Sequence, residues 1–369
     1  MLQRYSGNKM NKHRFPKKWM LDEVIFTKDK GTVFSCFSGG GGSTMGYKLA
    51  GYDVIGCNEM DERMMECYIV NHRPKFSYCE SIKKLRRRDD LPDELFDLDI
   101  LDGSPPCCAF SLAGKRDQGW GEKRKFRSNM KAEVIDTLFF DFVKLTKKLQ
   151  PKIVVAENVP AILVGDAIQY TNKICEKFKK AGYYIQYFVL NASRMGVPQK
   201  RRRIFFIGLR KDLAGPFLIN DGLFESKPEI KFRWNEPKIR FREIRSKVGT
   251  TFGMTERLID LLSHKIKTDK DLSDINLRLY DKLSGFTWAI VKDFQICPTP
   301  TTCNPFIRDY DNLCFSDSDY ASMTTYPLDY NYRTNTVQYV AARSVPPIMM
   351  AQISTQIYKQ WLSKINKKR

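Results

Sequence analysis

The sequence predicts an α/β architecture: a mostly parallel sheet with helices on both faces, joined to a smaller irregular domain. Three observations predict it. From about residue 32, short apolar runs alternate with amphipathic stretches. The first run ends in a glycine-rich turn, Phe37-Ser-Gly-Gly-Gly-Gly-Ser-Thr-Met-Gly46, that opens a helix. After Leu209 the alternation stops. Strands alternating with helices build a parallel sheet covered on both faces, because each crossover helix returns the chain to the end of the sheet where the next parallel strand begins.

Thr32–Phe37 reads as the first strand, and a helix runs on through Gly46 to Ala50. Asp53–Asn58 reads as the second strand, followed by a helix over Asp61–Asn71 and a strand at Leu98–Leu101. The strongest helical pattern covers Glu133–Leu149, where Val134, Ile135, Leu138, Phe139, Phe142, Val143 and Leu145 form one broad apolar face. Pro151 ends it, and β-branched Ile153–Ala156 follows as a strand. A helix over Ala167–Ala181 and strands at Tyr184–Leu190 and Arg203–Leu209 complete the series. Residues 211–330 are irregular and interleave cations with aromatics, in Lys-Phe-Arg-Trp (231–234) and Lys-Ile-Arg-Phe-Arg (238–242). Ile348–Ile365 is helical in pattern and returns to the first domain. The expected division is 1–210, 211–337 and 338–369, with basic, loosely held ends.

The 369 residues can bury a large core. Lys and Arg total 62 against 42 acidic residues, a net charge of +20. That balance points to a polyanionic partner, nucleic acid before membrane. Met1 to Lys30 is polar and basic, unlike a secretory leader, and no run approaches the roughly 18 apolar residues of a membrane span. Ten cysteines lie scattered without a Cys-x-x-Cys pair, and there are three histidines, so a cytoplasmic protein with reduced thiols and no metal is expected.

Four segments carry chemistry. The glycines let backbone approach a ligand, and the helix start behind them favours electronegative groups. Glu59, at the end of the second strand and about 20 residues on, suits ribose hydroxyls. The glycine spacing is not that of a dinucleotide fingerprint, which argues against a dehydrogenase. Asp102-Gly-Ser-Pro-Pro-Cys107 follows a strand and presents a cysteine on a rigid Pro-Pro step; as a thiolate, Cys107 is a nucleophile. Glu157, in Glu-Asn-Val (157–159), ends a buried strand, where a carboxylate must be paired or protonated; a protonated one can serve a ring nitrogen. In Gln199-Lys-Arg-Arg-Arg203, alternation aims Arg201 and Arg203 to one side and Arg202 to the other, suiting phosphate or base contacts.

In their order and content these segments resemble the cytosine-5 DNA methyltransferase family of the bacterial and phage type. Phe-Ser-Gly-Gly-Gly-Gly (37–42) is similar to the cofactor loop, and Gly-Ser-Pro-Pro-Cys (103–107) to the nucleophile motif. Glu157-Asn-Val matches the acid motif, Gln199-x-Arg201-x-Arg203 the paired-arginine motif, and Ala342-Arg-Ser-Val-Pro-Pro347 the segment that rejoins the cofactor domain. The resemblance implies a Rossmann-like, S-adenosylmethionine-dependent fold with a target-recognition domain. It implies a monomer on double-stranded DNA that swings a cytosine out of the helix. Cys107, Glu157, Arg201 and Arg203 would be catalytic. Phe37, Gly39, Gly41, Gly42, Glu59, Ser81, Ile82, Pro106 and Leu138 would hold S-adenosylmethionine, with Ile82 and Leu138 as adenine contacts. Ala109–Asn129 is similar to the loop that closes over DNA, and Arg233, Trp234, Arg240 and Arg242 are candidates for DNA contact.

The chain departs from the family pattern in places. Cys108 stands where Gln is usual, Ser81 (or Glu80, shifted by one) where an acid is expected, and Arg343-Ser344 where Asn-Ala is common. Two other readings share the fold: methylation of RNA, whose branch carries a Cys-Phe-Thr signature not evident here, and a catalytically silent DNA-binding member, against which Cys107 and Glu157 are both present.

Overall fold

The computed structural model describes residues 14–106, 137–165, 167–218, 227–282 and 288–366, together with the short strands Lys123–Arg124 and Glu133–Val134. The central sheet has seven strands: β1 (Thr32–Cys36), β2 (Asp53–Asn58), β3 (Phe76–Tyr78), β4 (Ile100–Gly103), β5 (Ile153–Asn158), β6 (Tyr183–Asn191) and β7 (Arg202–Arg210). Their order across the sheet is β3-β2-β1-β4-β5-β7-β6. β1 pairs in parallel with both β2 and β4, and β4 with β5, whereas β7 runs antiparallel to both β5 and β6. The chain therefore winds outward in both directions from β1, leaving a crevice between the carboxyl ends of β1 and β4. In open α/β sheets, ligands bind in that crevice.

The inner strands are apolar on both faces, and successive residues along each point into opposite cores. Phe34, Leu101, Val154, Ala156, Ile204 and Phe206 point into one core, completed by Leu138, Phe139, Phe142, Ile174 and Phe178. The alternate residues Val33, Ile100, Ile153, Val155, Phe205 and Ile207 point into a second core with Tyr47, Ile348, Met349, Met350 and Ile353. Helix α2 (Glu62–His72) follows β2, and the short α3 (Ile82–Leu85) follows β3. The first core belongs to helices α4 (Leu138–Leu149) and α5 (Ala167–Lys180). The second belongs to α1 (Gly42–Leu49) and a carboxyl-terminal helix, Pro347–Ile357, packed on it. Helices cover both faces, as the sequence predicted.

Two expectations need correction. The helix expected from Glu133 begins at Leu138, and Glu133–Val134 pairs antiparallel with Lys123–Arg124. The β-branched Val134 fits an extended chain as readily as a helix face, so it extended the apolar pattern past the true start. Residues 211–330, expected to be irregular, contain α6 (Glu256–Ser263), α7 (Leu272–Tyr280), α8 (Asp317–Thr324) and a two-strand ladder pairing Ile290–Val291 with Ile307–Arg308. The side chains of Thr255, Asp271 and Ser316 each cap the helix they precede. Helices α9 (Val337–Arg343) and α10 (Pro347–Ile357) follow, and a π-helical turn at Tyr358–Leu362 continues the last into a short helical end at Ser363–Ile365. Among the described residues no helix is long and apolar enough to cross a membrane, and no cluster of His, Cys, Asp or Glu could hold a metal ion.

Candidate active site

The crevice between β1 and β4 opens into a cavity of about 280 Å³. Its walls come from four places in the chain: Phe37 and Gly39 after β1, Glu59 to Asp61 after β2, Ser104 to Pro106 after β4, and Glu157 to Val159 at the end of β5. Met64 in the helix after β2, Arg201 and Arg203 at the start of β7, and Ala342 and Arg343 at the end of the helix Val337–Arg343 complete it. The Pro-Pro step is thus part of the cavity wall. Cys107, the next residue, lies outside the described residues, as do Cys108 and the 109–129 segment apart from the short strand Lys123–Arg124.

Gly39 adopts φ +51°, and a Cβ placed on it would meet nothing within 4 Å. It leaves the cavity open, and its amide donates to Glu59 Oε2 at 2.8 Å. The other glycines serve the protein's own packing. A Cβ on Gly40 would lie 2.5 Å from Val340, on Gly41 2.1 Å from the His72 ring, on Gly42 2.4 Å from the Val345 carbonyl and on Gly46 2.4 Å from the Pro347 carbonyl. The bunched glycines let the carboxyl-terminal segment, as well as His72, close onto the first helix turn.

Glu59 Oε1 accepts the amides of Met60 and Asp61, at 2.8 and 2.9 Å. Burial pushes its carboxyl above the ordinary range, opposed by the Asp61 and Gly39 amides and the Arg343 charge. Three amides fix the carboxylate at the cavity wall, where its remaining lone pairs can accept ligand hydroxyls.

Glu157 is paired. Arg203 Nε lies 2.9 Å from Glu157 Oε1, with both side chains largely buried. Next to it, Asn158 Nδ2 donates to the Pro105 carbonyl at 3.1 Å and its Oδ1 accepts the Val159 amide at 2.8 Å, tying the end of β5 to the Pro-Pro segment. Arg201 is 2% exposed, and its two terminal nitrogens each donate to the Ala342 carbonyl at 3.1 Å. It binds α9 to the sheet. Arg202 faces the other way, out of the cavity.

The remaining residues singled out from the sequence lie elsewhere. Gly41, Gly42, Ser81, Ile82 and Leu138 do not line the cavity. Ile82 and Leu138 are each 1% exposed within the first core, and Ser81 precedes the short helix Ile82–Leu85. Among the residues missed, Arg343 adds a cation to the cavity, and its departure from the family pattern was the available signal. Asp102 was missed as well. It is buried between Ser35 Oγ (2.9 Å) and Tyr47 OH (3.2 Å), and burial pushes its carboxyl up to about 7. An acid inside a run of Ile and Leu was its signal.

A sheet wound both ways from β1 and closed by an antiparallel hairpin is the arrangement of Rossmann-like, S-adenosylmethionine-dependent methyltransferases. Within that class the chain belongs to the C-5 cytosine-specific DNA methylase family, whose profile matches residues 31–359. It is 36% identical to the Type II methyltransferase M.FnuDI of Fusobacterium nucleatum over 181 residues, 49% of this chain and 47% of that protein. It is 32% identical to the Type II methyltransferase M.NgoPII of Neisseria gonorrhoeae over 202 residues, 54% of each. The matched part thus spans about half the length of these relatives. A crystal structure described as a DNA modification methyltransferase encoded within an E. coli prophage superposes with a TM-score of 0.58 at 22% identity, covering 89% of this chain and 99% of that one. That likeness is one of fold.

Proposed function

We propose that the protein is a DNA (cytosine-5-)-methyltransferase acting, as a monomer, on a cytosine swung out of double-stranded DNA within a short sequence context. The observation that carries this reading is a single cavity in which the Pro-Pro segment leading to Cys107 meets the Glu157–Arg203 pair on one side and Gly39 and Glu59 on the other. Family membership and the Type II relatives support it. By the same reading, residues 211–337 recognise the target, 338–369 return to the catalytic domain, and the enzyme works in the cytoplasm of a bacterial or phage-infected cell.

The donor set fits S-adenosylmethionine. Gly39 leaves room for close approach, Glu59 presents a fixed carboxylate to the ribose, and Phe37 and Pro106 offer apolar walls. When bound, this cofactor supplies an electrophilic methyl group. In this proposal Gly41, Gly42, Ser81, Ile82 and Leu138 act by shaping the loop and core behind the cavity.

Cys107 Sγ, as thiolate, forms a bond to ring carbon 6, and the carbon 5–carbon 6 π electrons shift to make carbon 5 nucleophilic. Glu157 acts as the acid, its carboxyl O–H donating to ring nitrogen 3 or passing its proton there, and Arg203 both anchors Glu157 and offers a cation to the ring carbonyl. Arg201 acts through Ala342, keeping α9 against the site. After carbon 5 is methylated, a base takes its proton; the C–H electrons restore the double bond and expel Cys107 as thiolate.

The test is transfer of labelled methyl from S-adenosylmethionine to unmethylated genomic DNA by wild type and Cys107→Ala, with bisulfite sequencing. Methylated cytosines in one short context, absent with the variant, are expected. A wild-type protein that binds cofactor yet methylates no DNA would overturn the proposal and direct attention to RNA or a silent DNA-binding role.

A further inference from the structure

Strand alternation at the start of β7 puts Arg201 and Arg203 into the catalytic cavity and turns Arg202 to the opposite side. There it lines a second, larger cavity of about 730 Å³, together with Val189, Asn191, Arg194, Arg233 and Trp234 among others. The volume is that of a small-ligand site. Arg194, Arg202 and Arg233 are exposed, and none forms an ion pair with a described residue. Three unpaired guanidinium groups around one concavity repel each other and favour an anion, above all one with several oxygens to accept paired N–H donors.

The cavity also has a built aromatic wall. Phe232 and Trp234 stack with ring centroids 5.1 Å apart and planes 12° from parallel. Phe188 on β6 meets Phe232 edge-on at 4.8 Å. The segment is tied to the sheet edge by Gln186, whose Nε2 donates to the Pro228 carbonyl at 2.9 Å while its Oε1 accepts the Ile230 amide at 3.4 Å. Trp234 Nε1 is buried with no acceptor within hydrogen-bond distance. Arginines beside an aromatic wall are the composition that binds a nucleotide through phosphate and base.

We propose that this cavity takes a nucleotide of the DNA strand outside the target base, its phosphate on Arg194, Arg202 and Arg233 and its base or sugar against the Phe232–Trp234 wall. The inference rests on the reading of the protein as a DNA methyltransferase. Arg202 lies between Arg201 and Arg203 in the chain, so the two cavities adjoin through one stretch of backbone, and a DNA strand presents a phosphate about every 3.4 Å along the duplex. Arg202 then works as the outward partner of the two inward arginines: a single strand start grips the target base on one side and the backbone on the other.

The experiment compares wild type with Arg202→Gln/Arg233→Gln and with Trp234→Leu. Affinity for a fluorescein-labelled unmethylated duplex is measured across salt concentrations, alongside single-turnover methyl transfer at saturating DNA. Each lost phosphate contact should lower the slope of log affinity against log salt by about 0.9, so the double variant should lose about 1.8. Its saturated rate should stay within about twofold of wild type, about 0.4 kcal/mol at the barrier. Trp234→Leu should weaken binding with little change in slope. An unchanged slope and affinity in a wild-type-active protein would overturn this inference alone. Tight, competitive binding of free dCMP or ATP with unaltered DNA binding would also overturn it, marking the cavity as an effector site. A wild type that binds no DNA would overturn both this inference and the functional reading on which it rests.

Discussion

Arg203 Nε lies 2.9 Å from Glu157 Oε1, an ion pair that joins the start of the antiparallel strand β7 to the end of the parallel strand β5. The contact neutralises a carboxylate that the sheet buries, and it fixes the acid's direction beside the Pro-Pro segment. Replacing Arg203 with Ala should lower single-turnover methyl transfer by about 10²-fold, the usual cost of removing one preorganised donor. Arg203→Lys should recover part of it, since a point charge replaces a directed fork. A rate within threefold of wild type for Arg203→Ala would refute the assigned role.

Gly39 and Gly46 should separate ligand approach from packing. Gly46→Ala drives a Cβ to 2.4 Å from the Pro347 carbonyl and should cost about 1–3 kcal/mol of stability through overpacking. Its folded fraction should bind S-adenosylmethionine normally. Gly39→Ala meets no atom within 4 Å and should cost only the left-handed backbone strain, about 1–2 kcal/mol, while cofactor affinity falls. Denaturant midpoints and calorimetric titration distinguish the two; equal cofactor affinities would sink the distinction.

Asp102 gives the fold a pH dependence with a definite sign. Its carboxyl is pushed up to about 7 from an ordinary value of 3.8, chiefly by burial. The folded state therefore holds a proton that the unfolded chain releases between about pH 4 and pH 7, so this contribution is full below that window and lost as pH rises through it. Each tenfold change in acidity is worth about 1.4 kcal/mol. Asp102→Asn should flatten the stability–pH curve across the window and leave the variant relatively more stable at pH 8. Curves that run parallel from pH 4 to 8 would rule out Asp102 as the source.

Arg308 is the hinge of a buried charge cluster. It is 1% exposed, lies 2.9 Å from Asp311 and 3.6 Å from fully buried Asp319, and donates to Ser246 Oγ at 3.2 Å. Arg308→Met should destabilise the protein by about 3–5 kcal/mol, because a buried carboxylate loses its cation. Adding Asp319→Asn should restore part of this, read from urea unfolding midpoints. A double variant no more stable than Arg308→Met would show that the cost is packing rather than charge.

The helices of the second region show where local reading stopped. Thr255, Asp271 and Ser316 are capping residues placed directly before α6, α7 and α8, so the starts were written in the chain. The helices themselves are only eight or nine residues long. Such segments carry too few turns for periodicity to stand out, and they form because a core holds them: Leu258, Leu261, Leu272 and Ile290 for α6 and α7, and Tyr320, Ala321 and Met323 against Phe306 and Phe315 for α8.

Six of the seven strands were legible because burial gives each an apolar run of its own, Val33 against Phe34, Ile153 and Val155 against Val154 and Ala156; the three-residue edge strand β3, which is only partly buried, was too short to be read. The glycine turn, the Pro-Pro-Cys step, Glu157 and the arginine run were legible as residue types in order. Their partners were not. Only the tertiary structure separated Gly39, open to the cavity, from Gly42 and Gly46, closed against the carboxyl-terminal segment. It alone paired Glu157 with Arg203, sent Arg201 to the Ala342 carbonyl and turned Arg202 into a different cavity. The reason is physical: a side chain's periodicity and chemistry are local properties of the sequence, whereas the group it meets comes from a distant segment whose position is set by packing of the whole chain.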